Sequence, residues 1–299
     1  MLKKLLFILV LSLILASCAK NEIPNENIDE NILVFSSYNL YDLENTNAHK
    51  NLAKFINDSN IGVMVSQEIQ KEDKDLLLEE LKKLGITAYI AFSSYGGYGG
   101  DIGDDYLAII SRWPIGEIKT ILSGTYKDPI SNNSFGYSYM RPVLEIKLNV
   151  FNKDITIFNL HLKAQSPWPA CIDCIQKRRA QAYALENYIK ENLSPETDNI
   201  IIAGDMNTST LEDEDFEEGS TLDILSLKSD NPENEENDFL AINYEYKRET
   251  THTRFDAIMD HILLSPELLK RYRNDSIDIV TPSGTPSDHK ALLLILDFN

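Results

Sequence analysis

Residues 199–207, NIIIAGDMN, are the stretch from which both a fold and a site can be predicted. The apolar residues 200–203 predict a buried strand, and the pattern stops at Gly204. A glycine at a strand end lets the backbone turn tightly and lets a ligand come close. Asp205 then offers an anionic oxygen, and Asn207 offers an amide that can donate or accept. Polar groups at the carboxyl end of a core strand are typical of α/β active sites. A structural Asp-x-Asn turn is the alternative interpretation.

Aliphatic strands and amphipathic helices alternate on both sides of this stretch. Apolar runs predict further strands at 32–37, 61–66, 87–92, 106–111, 141–150, 154–160, 239–246, 258–264, 275–280 and 290–297. Helical spacing predicts helices at 47–58, 72–84 and 175–192, with a short one at 221–228. The turn at 151–153 predicts a hairpin. Antiparallel strand pairs between helices predict an α/β (α+β) fold with mainly antiparallel sheets.

The N-terminus has the pattern of a secretory signal peptide. Lys3 and Lys4 precede an apolar run at 5–15 that is too short for a comfortable transmembrane helix. The following LASC, 15–18, resembles the bacterial lipobox, in which the cysteine is lipidated and becomes the mature N-terminus. Lipid chains on Cys18 would hold the protein at a membrane surface. An ordinary signal peptide cleaved nearby is the alternative.

These patterns predict three parts of the chain. We expect a lipoprotein signal peptide at 1–17, the lipidated cysteine with a flexible tether at 18–31, and one domain at 32–299. They also predict an exported, membrane-anchored bacterial lipoprotein, in the periplasm or on the cell surface.

The composition is strongly acidic. The chain has 47 acidic and 28 basic side chains, and its formal net charge is −19. This excludes a protein that coats nucleic acid through a broad basic face. It does not exclude an enzyme that holds a phosphodiester with a metal and a few local cations, and many acids suit divalent metals.

Two cysteines, Cys171 and Cys174, lie close together in the sequence ACIDC. In an exported protein a disulfide is the first expectation. Zinc binding would need two further ligands nearby, and a redox motif would need a thioredoxin-like context. Both remain alternatives.

Acids, amides and histidines recur where the predicted strands end. They are Asn39, Glu68, His161, Asp205 with Asn207, Asp260 with His261, and Asp288 with His289. Several carboxylates with amide oxygens suit Mg²⁺, Mn²⁺ or Ca²⁺ better than zinc. Histidines add groups that titrate near neutral pH. Hydrolysis of a phosphate ester needs these parts: an activated water, a positive charge and an acid for the leaving oxygen.

The order and wording of these motifs resemble the endonuclease/exonuclease/phosphatase superfamily, which has the deoxyribonuclease-I-like fold. The motifs are SSYNLYDLEN with Asn39, VSQEI with Glu68, FNLHLKAQ with His161, IIAGDMN with Asp205 and Asn207, IMDHILLS with Asp260, and TPSDHKALLL with Asp288 and His289. The resemblance covers roughly 32–299. It implies a four-layer α/β sandwich, in which two mainly antiparallel sheets pack face to face with helices outside.

The resemblance also implies a metal site. Mg²⁺ or Mn²⁺, with Ca²⁺ possible, would be held chiefly by Glu68, with Asp288 and Asn39 in or near its shell. Asp205 would orient or deprotonate the attacking water, and Asn207 would hold the scissile phosphate.

Two histidines receive roles from the same resemblance. His289, oriented by Asp260, would act as general base or charge stabiliser. His161 would donate to a phosphate oxygen or to the leaving group. Asp104 or Asp105 is the expected acidic partner of His161, with a solvated loop acid as the alternative.

Other charged residues are less closely matched. Arg141 lies where relatives place a phosphate-contacting arginine, and its alternative is a surface salt bridge. Arg178 and Arg179 are expected at the surface. His252 is expected to be non-catalytic, and His261 to serve packing.

The sequence therefore predicts an exported, lipid-anchored, metal-dependent phosphodiesterase, a monomer that acts as an endonuclease on DNA or RNA. A phospholipase C or sphingomyelinase of the same superfamily is the enzymatic alternative. An inactive surface-binding lipoprotein is the non-enzymatic one.

Overall fold

Two six-stranded sheets lie at the centre of the computed structural model, which describes residues 31–43, 47–97, 105–122, 124–137, 140–164, 173–208, 220–228 and 235–299. The strands in chain order are β1 (Ile32–Asn39), β2 (Ile61–Ile69), β3 (Tyr89–Phe92), β4 (Tyr106–Ser111), β5 (Ile115–Ile121), β6 (Thr125–Lys127), β7 (Ser134–Gly136), β8 (Val143–Val150), β9 (Lys153–His161), β10 (Asn199–Asp205), β11 (Leu240–Ala241), β12 (Asp260–Leu264), β13 (Asp278–Val280) and β14 (Ala291–Asp297). The described helices are α1 (Ala48–Asp58), α2 (Asp73–Lys83), α3 (Cys174–Asn192), α4 (Thr221–Leu225), α5 (Ile242–Tyr246) and α6 (Pro266–Leu269). None of these helices is long and apolar enough to cross a membrane.

The first sheet has the order β13-β14-β1-β2-β4-β3, and the second has the order β11-β12-β10-β9-β8-β5. Most neighbours are antiparallel, but each sheet contains a parallel pair, β1 with β2 and β9 with β10. Parallel strands end at the same edge of a sheet. Asn39 is therefore paired with Gln67, next to Glu68, and Asp205 is paired with His161.

Buried strands with apolar residues on both faces produce the layers. In β10, Ile201 and Ala203 point into the space between the sheets, while Ile200 and Ile202 pack on the outer side. The inner layer includes Leu33, Phe35, Val63, Val65, Leu144, Ile146, Ile157, Ile201, Ala203 and Ile262. Residues of α1 and α2 cover the first sheet, and residues of α3 and α4 cover the second. The predicted four-layer α/β sandwich is confirmed.

Residues Leu33–Phe298 form one compact unit. A second unit comprises Met1–Ile32 and Asn299, of which residues 31, 32 and 299 are described. The predicted signal peptide and nearly all of the predicted tether, including Cys18, lie outside the described residues.

Gly204 is needed for a close contact between two strands, whereas the sequence predicted a tight turn and the approach of a ligand. Its φ is 144°, and an added Cβ would lie 2.0 Å from the carbonyl oxygen of Leu160. The glycine is therefore required by the close approach of β10 to β9. Because the parallel pair can close here, Asp205 is brought beside His161.

The predicted strand at 239–246 is wrong from its fourth residue onward. Strand β11 stops at Ala241, and Ile242–Tyr246 form helix α5. The buried amide of Asn243 donates to the Asp260 carbonyl at 3.0 Å and accepts from the Ile262 amide at 3.2 Å. A side chain thus satisfies the edge of β12, where a longer strand would otherwise pair.

Strands β5, β6 and β7 were not predicted. Strand β5 lies at the edge of its sheet, its residues are half-buried or exposed, and its register with β8 shifts between Ile115 and Ile118. An edge strand of this kind carries little apolar alternation. The predicted hairpin between β8 and β9 is present, with Phe151 and Asn152 both at positive φ as a tight two-residue turn requires.

Candidate active site

The carboxyl ends of the two parallel pairs open into one cavity of about 410 Å³. Its lining includes Glu68, Arg141, His161, Asp205, Asn207, Asp288 and His289, all of which the sequence singled out. Asn39 and Asp260 lie behind this lining and are fully buried. The structure therefore brings the strand-end residues together.

Asn39 bridges two carboxylates. Its Nδ2 donates to Glu68 Oε1 at 3.1 Å and to Asp205 Oδ2 at 3.0 Å. Its Oδ1 accepts from the Tyr41 amide at 3.1 Å. Asn39 therefore aligns the two acids through its amide hydrogens, and its predicted part in a metal shell stays a prediction.

The carboxylates of Glu68 and Asp205 lie close together and are largely shielded from solvent. Burial raises the pKa of Glu68. Burial, together with the nearby Asp260 and Glu68 carboxylates, raises the pKa of Asp205 to about 7, although His289 opposes that rise. Carboxylates that lack enough compensating positive charge bind a cation readily.

A divalent metal fits this donor set. Glu68, His161 and Asp205 each offer one ligand atom, and these atoms lie within 4.8 Å of one another. A second group of acids and histidine, Asp205, Asp260 and His289, meets the same condition. Carboxylate oxygens in excess over nitrogen favour Mg²⁺, Mn²⁺ or Ca²⁺.

His161 is buried against the first of these groups. Its Nε2 lies 3.4 Å from Asp205 Oδ2 and 3.6 Å from Glu68 Oε1. Burial, followed by the positive charge of Arg141, holds its pKa well below the usual 6.5. His161 is therefore a neutral imidazole at neutral pH.

The expected acidic partner of His161 is not seen among the described residues. The buried Nδ1 of His161 has no hydrogen-bond partner there. Asp105 instead lies 3.5 Å from Arg141, and Asp104 lies outside the described residues.

His289 has the opposite environment. Its Nδ1 lies 2.8 Å from Asp260 Oδ2, and its Nε2 lies 3.7 Å from Asp205 Oδ2. Burial lowers the pKa of His289, but the carboxylates of Asp260 and Asp205 outweigh it and raise that pKa to about 10. His289 is therefore a protonated, oriented imidazolium beside Asp205.

Asn207 and Arg141 are placed on the wall of the same cavity. The backbone amide of Asn207 donates to Asp205 Oδ1 at 2.9 Å, its side chain donates to the Leu162 carbonyl at 3.2 Å, and its φ is 51°. Glu68 also has a positive φ, of 50°. Residues with a strained backbone conformation of this kind cluster at functional sites. Arg141 is buried in the cavity wall and is paired with the partly exposed Asp105, so its predicted contact with a phosphate stays a prediction.

Asp288 lies beside His252, and its predicted place in or near the metal shell stays a prediction. Its Oδ2 lies 3.4 Å from His252 Nε2, and the two share a possible ligand group with His289. His252 lines the cavity, and its expected lack of a catalytic role stays a prediction. No strand-end pattern marked it, because it lies in the loop that precedes β12. His261 serves packing as expected, with its Nε2 2.7 Å from Thr208 Oγ1.

The arginines of α3 were predicted at the surface, and both predictions are wrong. Arg178 is fully buried, and Arg179 is paired with the buried Asp128 through two contacts of 2.9 Å. Arg179 thus joins α3 to the segment before β7, and Arg178 donates to the Lys163 carbonyl at 3.4 Å. Cys174 is disulfide-bonded. Its expected partner Cys171 lies outside the described residues, and their pairing stays a prediction.

Residues 31–289 match the sequence model of the Endonuclease/Exonuclease/phosphatase family. The chain belongs to this family. Members of the family are hydrolases that act on phosphoester bonds, and they generally use a divalent metal. The resemblance drawn from the six motifs is thereby confirmed.

Three similar proteins illustrate the breadth of the family. Sphingomyelinase C of Bacillus cereus is 27% identical over 171 residues, which cover 53% of this chain and 49% of the relative. The chain thus spans about half the length of the curated relatives it matches. A family protein from Leptotrichia buccalis has a TM-score of 0.63 at 15% identity, covering 89% of this chain and 100% of that one. The 3′ phosphatase NExo from Neisseria, bound to a product DNA hairpin, has a TM-score of 0.60 at 14% identity and covers 89% and 100%.

Proposed function

We propose that this chain is a divalent-metal-dependent phosphodiesterase that acts as an endonuclease on DNA or RNA. The observation that carries the proposal is the pair of buried imidazoles around Asp205. His289 is charged through its contact with Asp260, and His161 is neutral. A carboxylate between a proton donor and a neutral hydrogen-bond donor suits attack of water on a phosphodiester.

The metal would be held at the Asn39 side of the cavity. Glu68 would be the principal ligand, Asp205 is close enough to share the site, and Asp288 would complete it from the far side. When bound, a divalent cation supplies positive charge that offsets the charge developing on the phosphate oxygens. The raised pKa of Glu68 supports this assignment, because a bound cation would offset the cost of burying the ionised carboxylate.

The chain's own residues account for the proton transfers. Asn207 and Arg141 would hold the non-bridging phosphate oxygens, and neutral His161 would add a hydrogen bond from Nε2. Water would attack phosphorus and give its proton to Asp205. The bond to the leaving oxygen would break, and His289 would donate a proton to that oxygen. Asp205 and His289 Nε2 lie 3.7 Å apart, so the proton can return between them.

Nucleic acid is the proposed substrate because two proteins of similar fold are bound to DNA products. In their solved structures, NExo is bound to a product DNA hairpin and TDP2 of D. rerio is bound to a single-stranded DNA product. The net charge of −19 opposes broad electrostatic attraction, so binding must depend on the metal and on local cations such as Arg141 and Arg254.

A panel of phosphodiesters tests the proposal. Protein lacking residues 1–18 would be incubated with plasmid DNA, single-stranded RNA and sphingomyelin, with Mg²⁺, Mn²⁺, Ca²⁺ or EDTA. We expect DNA or RNA cleavage with Mg²⁺ or Mn²⁺ that EDTA abolishes. Failure to hydrolyse any diester in any metal would reject the enzymatic proposal in favour of a binding lipoprotein.

A sphingomyelinase is the second candidate, because sphingomyelinase C is a curated relative at 27% identity over half of the chain. It predicts release of phosphocholine from sphingomyelin vesicles at a rate above that of DNA cleavage. The same panel ranks the two substrates directly.

We also propose export and lipidation at Cys18, on the basis of the signal pattern in residues 1–18. Cells expressing the full chain should incorporate labelled palmitate into the protein, and Cys18→Ala should abolish incorporation. Equal labelling of both proteins would contradict lipidation at this position.

A further inference from the structure

The loop 251–257 lies beside the starts of β12 and β14, and hydrogen bonds hold it against them. Thr251 Oγ1 accepts from the amides of Met259 and Asp260 at 2.9 and 3.0 Å. The Thr251 carbonyl accepts from the Lys290 amide at 2.7 Å. This loop is therefore held in one position relative to the reacting groups.

A second set of bonds fixes the tip of this loop. The amide and hydroxyl of Thr253 both donate to the Asp288 carbonyl at 2.8 Å. His252 Nδ1 accepts from the backbone amides of Arg254 and Phe255 at 3.2 and 3.3 Å. Because Nδ1 is an acceptor, Nε2 carries the ring hydrogen and directs it towards Asp288.

Phe255 is stacked on this oriented imidazole. The two ring centroids are 4.6 Å apart at an interplanar angle of 29°, and His252 also makes an edge contact with His289 at 4.5 Å. Phe255 nevertheless keeps half of its surface exposed, 50%, and it lines the catalytic cavity. A large exposed ring on a rigid support, next to a reaction centre, is a prepared stacking surface.

We propose that Phe255 is the surface on which a nucleobase adjacent to the scissile phosphate stacks. The inference rests on the proposed phosphodiesterase function, and it names the part of the substrate that this loop selects. Stacking on aromatic side chains tolerates any base, because every base has a π-face. The contact would therefore favour nucleic acid without imposing a sequence.

The charge beside the ring distinguishes a nucleobase from a choline headgroup. The Arg254 guanidinium lies 5.4 Å from the Phe255 ring centroid and also lines the cavity. A quaternary ammonium on this ring would be repelled by that cation. A base carried on an anionic strand places a flanking phosphate within reach of Arg254.

Two small diesters with the same leaving group isolate this contact. Thymidine 5′-(p-nitrophenyl phosphate) and methyl p-nitrophenyl phosphate differ in the nucleoside, and both release p-nitrophenol. We expect the wild type to prefer the nucleoside ester, and Phe255→Ala to reduce the ratio of the two kcat/KM values about tenfold, mainly through KM. Phe255→Trp should retain the preference, whereas Phe255→Leu should lose it.

Tyr89→Ala is the matched control, because Tyr89 is an exposed aromatic residue on β3 that does not line the cavity. Its ratio should equal that of the wild type. A ratio unchanged in Phe255→Ala, with both esters still hydrolysed by the wild type, would overturn the stacking proposal and leave the phosphodiesterase intact. If the wild type hydrolyses neither ester, both the stacking proposal and the phosphodiesterase proposal are rejected.

Calorimetric binding gives a readout that does not require turnover. Thymidine 5′-monophosphate should bind the wild type more tightly than methyl phosphate does, and Phe255→Ala should remove the difference. Tighter binding of phosphocholine than of the nucleotide, lost in the same variant, would assign the ring to a lipid headgroup and overturn the nucleobase proposal.

Discussion

Two buried histidines border Asp205, and they are in opposite charge states. His161 lies 3.4 Å from the Asp205 carboxylate, yet burial holds its pKa well below 6.5. His289 lies slightly farther from Asp205, at 3.7 Å, and its pKa is raised to about 10. The difference is Asp260, which is hydrogen-bonded to His289 at 2.8 Å.

The comparison shows that nearness to an acid does not decide the charge of a buried imidazole. At His289 a hydrogen-bonded carboxylate, helped by the charge of Asp205, outweighs burial, whereas at His161 burial and the positive charge of Arg141 prevail. One cavity can therefore hold a proton donor and a neutral hydrogen-bond donor on the two sides of one acid.

The largest effect should follow loss of the carboxylate that charges His289. Asp260→Asn keeps the size of the side chain but removes its negative charge, so the pKa of His289 should fall and proton donation should fail. We expect kcat/KM for a dinucleotide, whose alkoxide leaving group needs a proton, to decrease on the order of 10⁴-fold, as measured by chromatography of the two products. Asp275→Asn, an exposed residue with positive φ, is the control and should retain full activity. A loss below tenfold in Asp260→Asn would contradict the role of this pair.

A smaller effect should follow replacement of the neutral histidine. His161→Gln keeps a side chain that can donate a hydrogen bond but changes its position, so transition-state stabilisation should weaken without loss of a proton donor. We expect a decrease of about 10²–10³-fold in kcat, with the pH profile of the remaining activity unchanged. Loss of the acidic or the basic limb of the pH–rate profile would show that His161 titrates during the reaction.

The smallest effect concerns stability without metal. His289 has a folded pKa of about 10, above its unfolded value of 6.5. Its contribution is therefore fully present below pH 6.5 and is lost as pH rises through about 10. In EDTA, the wild type should exceed His289→Gln in free energy of unfolding by a few kcal/mol near pH 6, measured by urea titration. The gap should narrow towards pH 10, and a gap that widens with pH would reverse the assigned charge.

Much of this arrangement was predictable because strand ends carry recognisable polar residues. Glu68, Asp205 and Asp288 each follow an apolar run or stand close before one, so both the sheet edge and the residues gathered there could be predicted. The four-layer fold followed from the family resemblance of the same motifs. The pairing of Asp260 with His289 also came from that resemblance, and the structure places the two in contact.

Other features depend on tertiary contacts that leave no local signal. His252 reaches the cavity because the loop 251–257 folds back over β12, and nothing in its neighbours marks it. Arg178 is buried because α3 packs it inward, although arginine is rarely fully buried. Helix α5 replaces a predicted strand because the Asn243 side chain satisfies the edge of β12.

Conversion of supercoiled plasmid to nicked circles tests the central claim most directly. Protein lacking residues 1–18 should nick the plasmid in Mg²⁺ or Mn²⁺. EDTA should stop the reaction, and His289→Ala at the same concentration should be inactive. Nicking by the wild type that persists in EDTA, or equal nicking by wild type and His289→Ala, would contradict a metal-dependent phosphodiesterase built on this site.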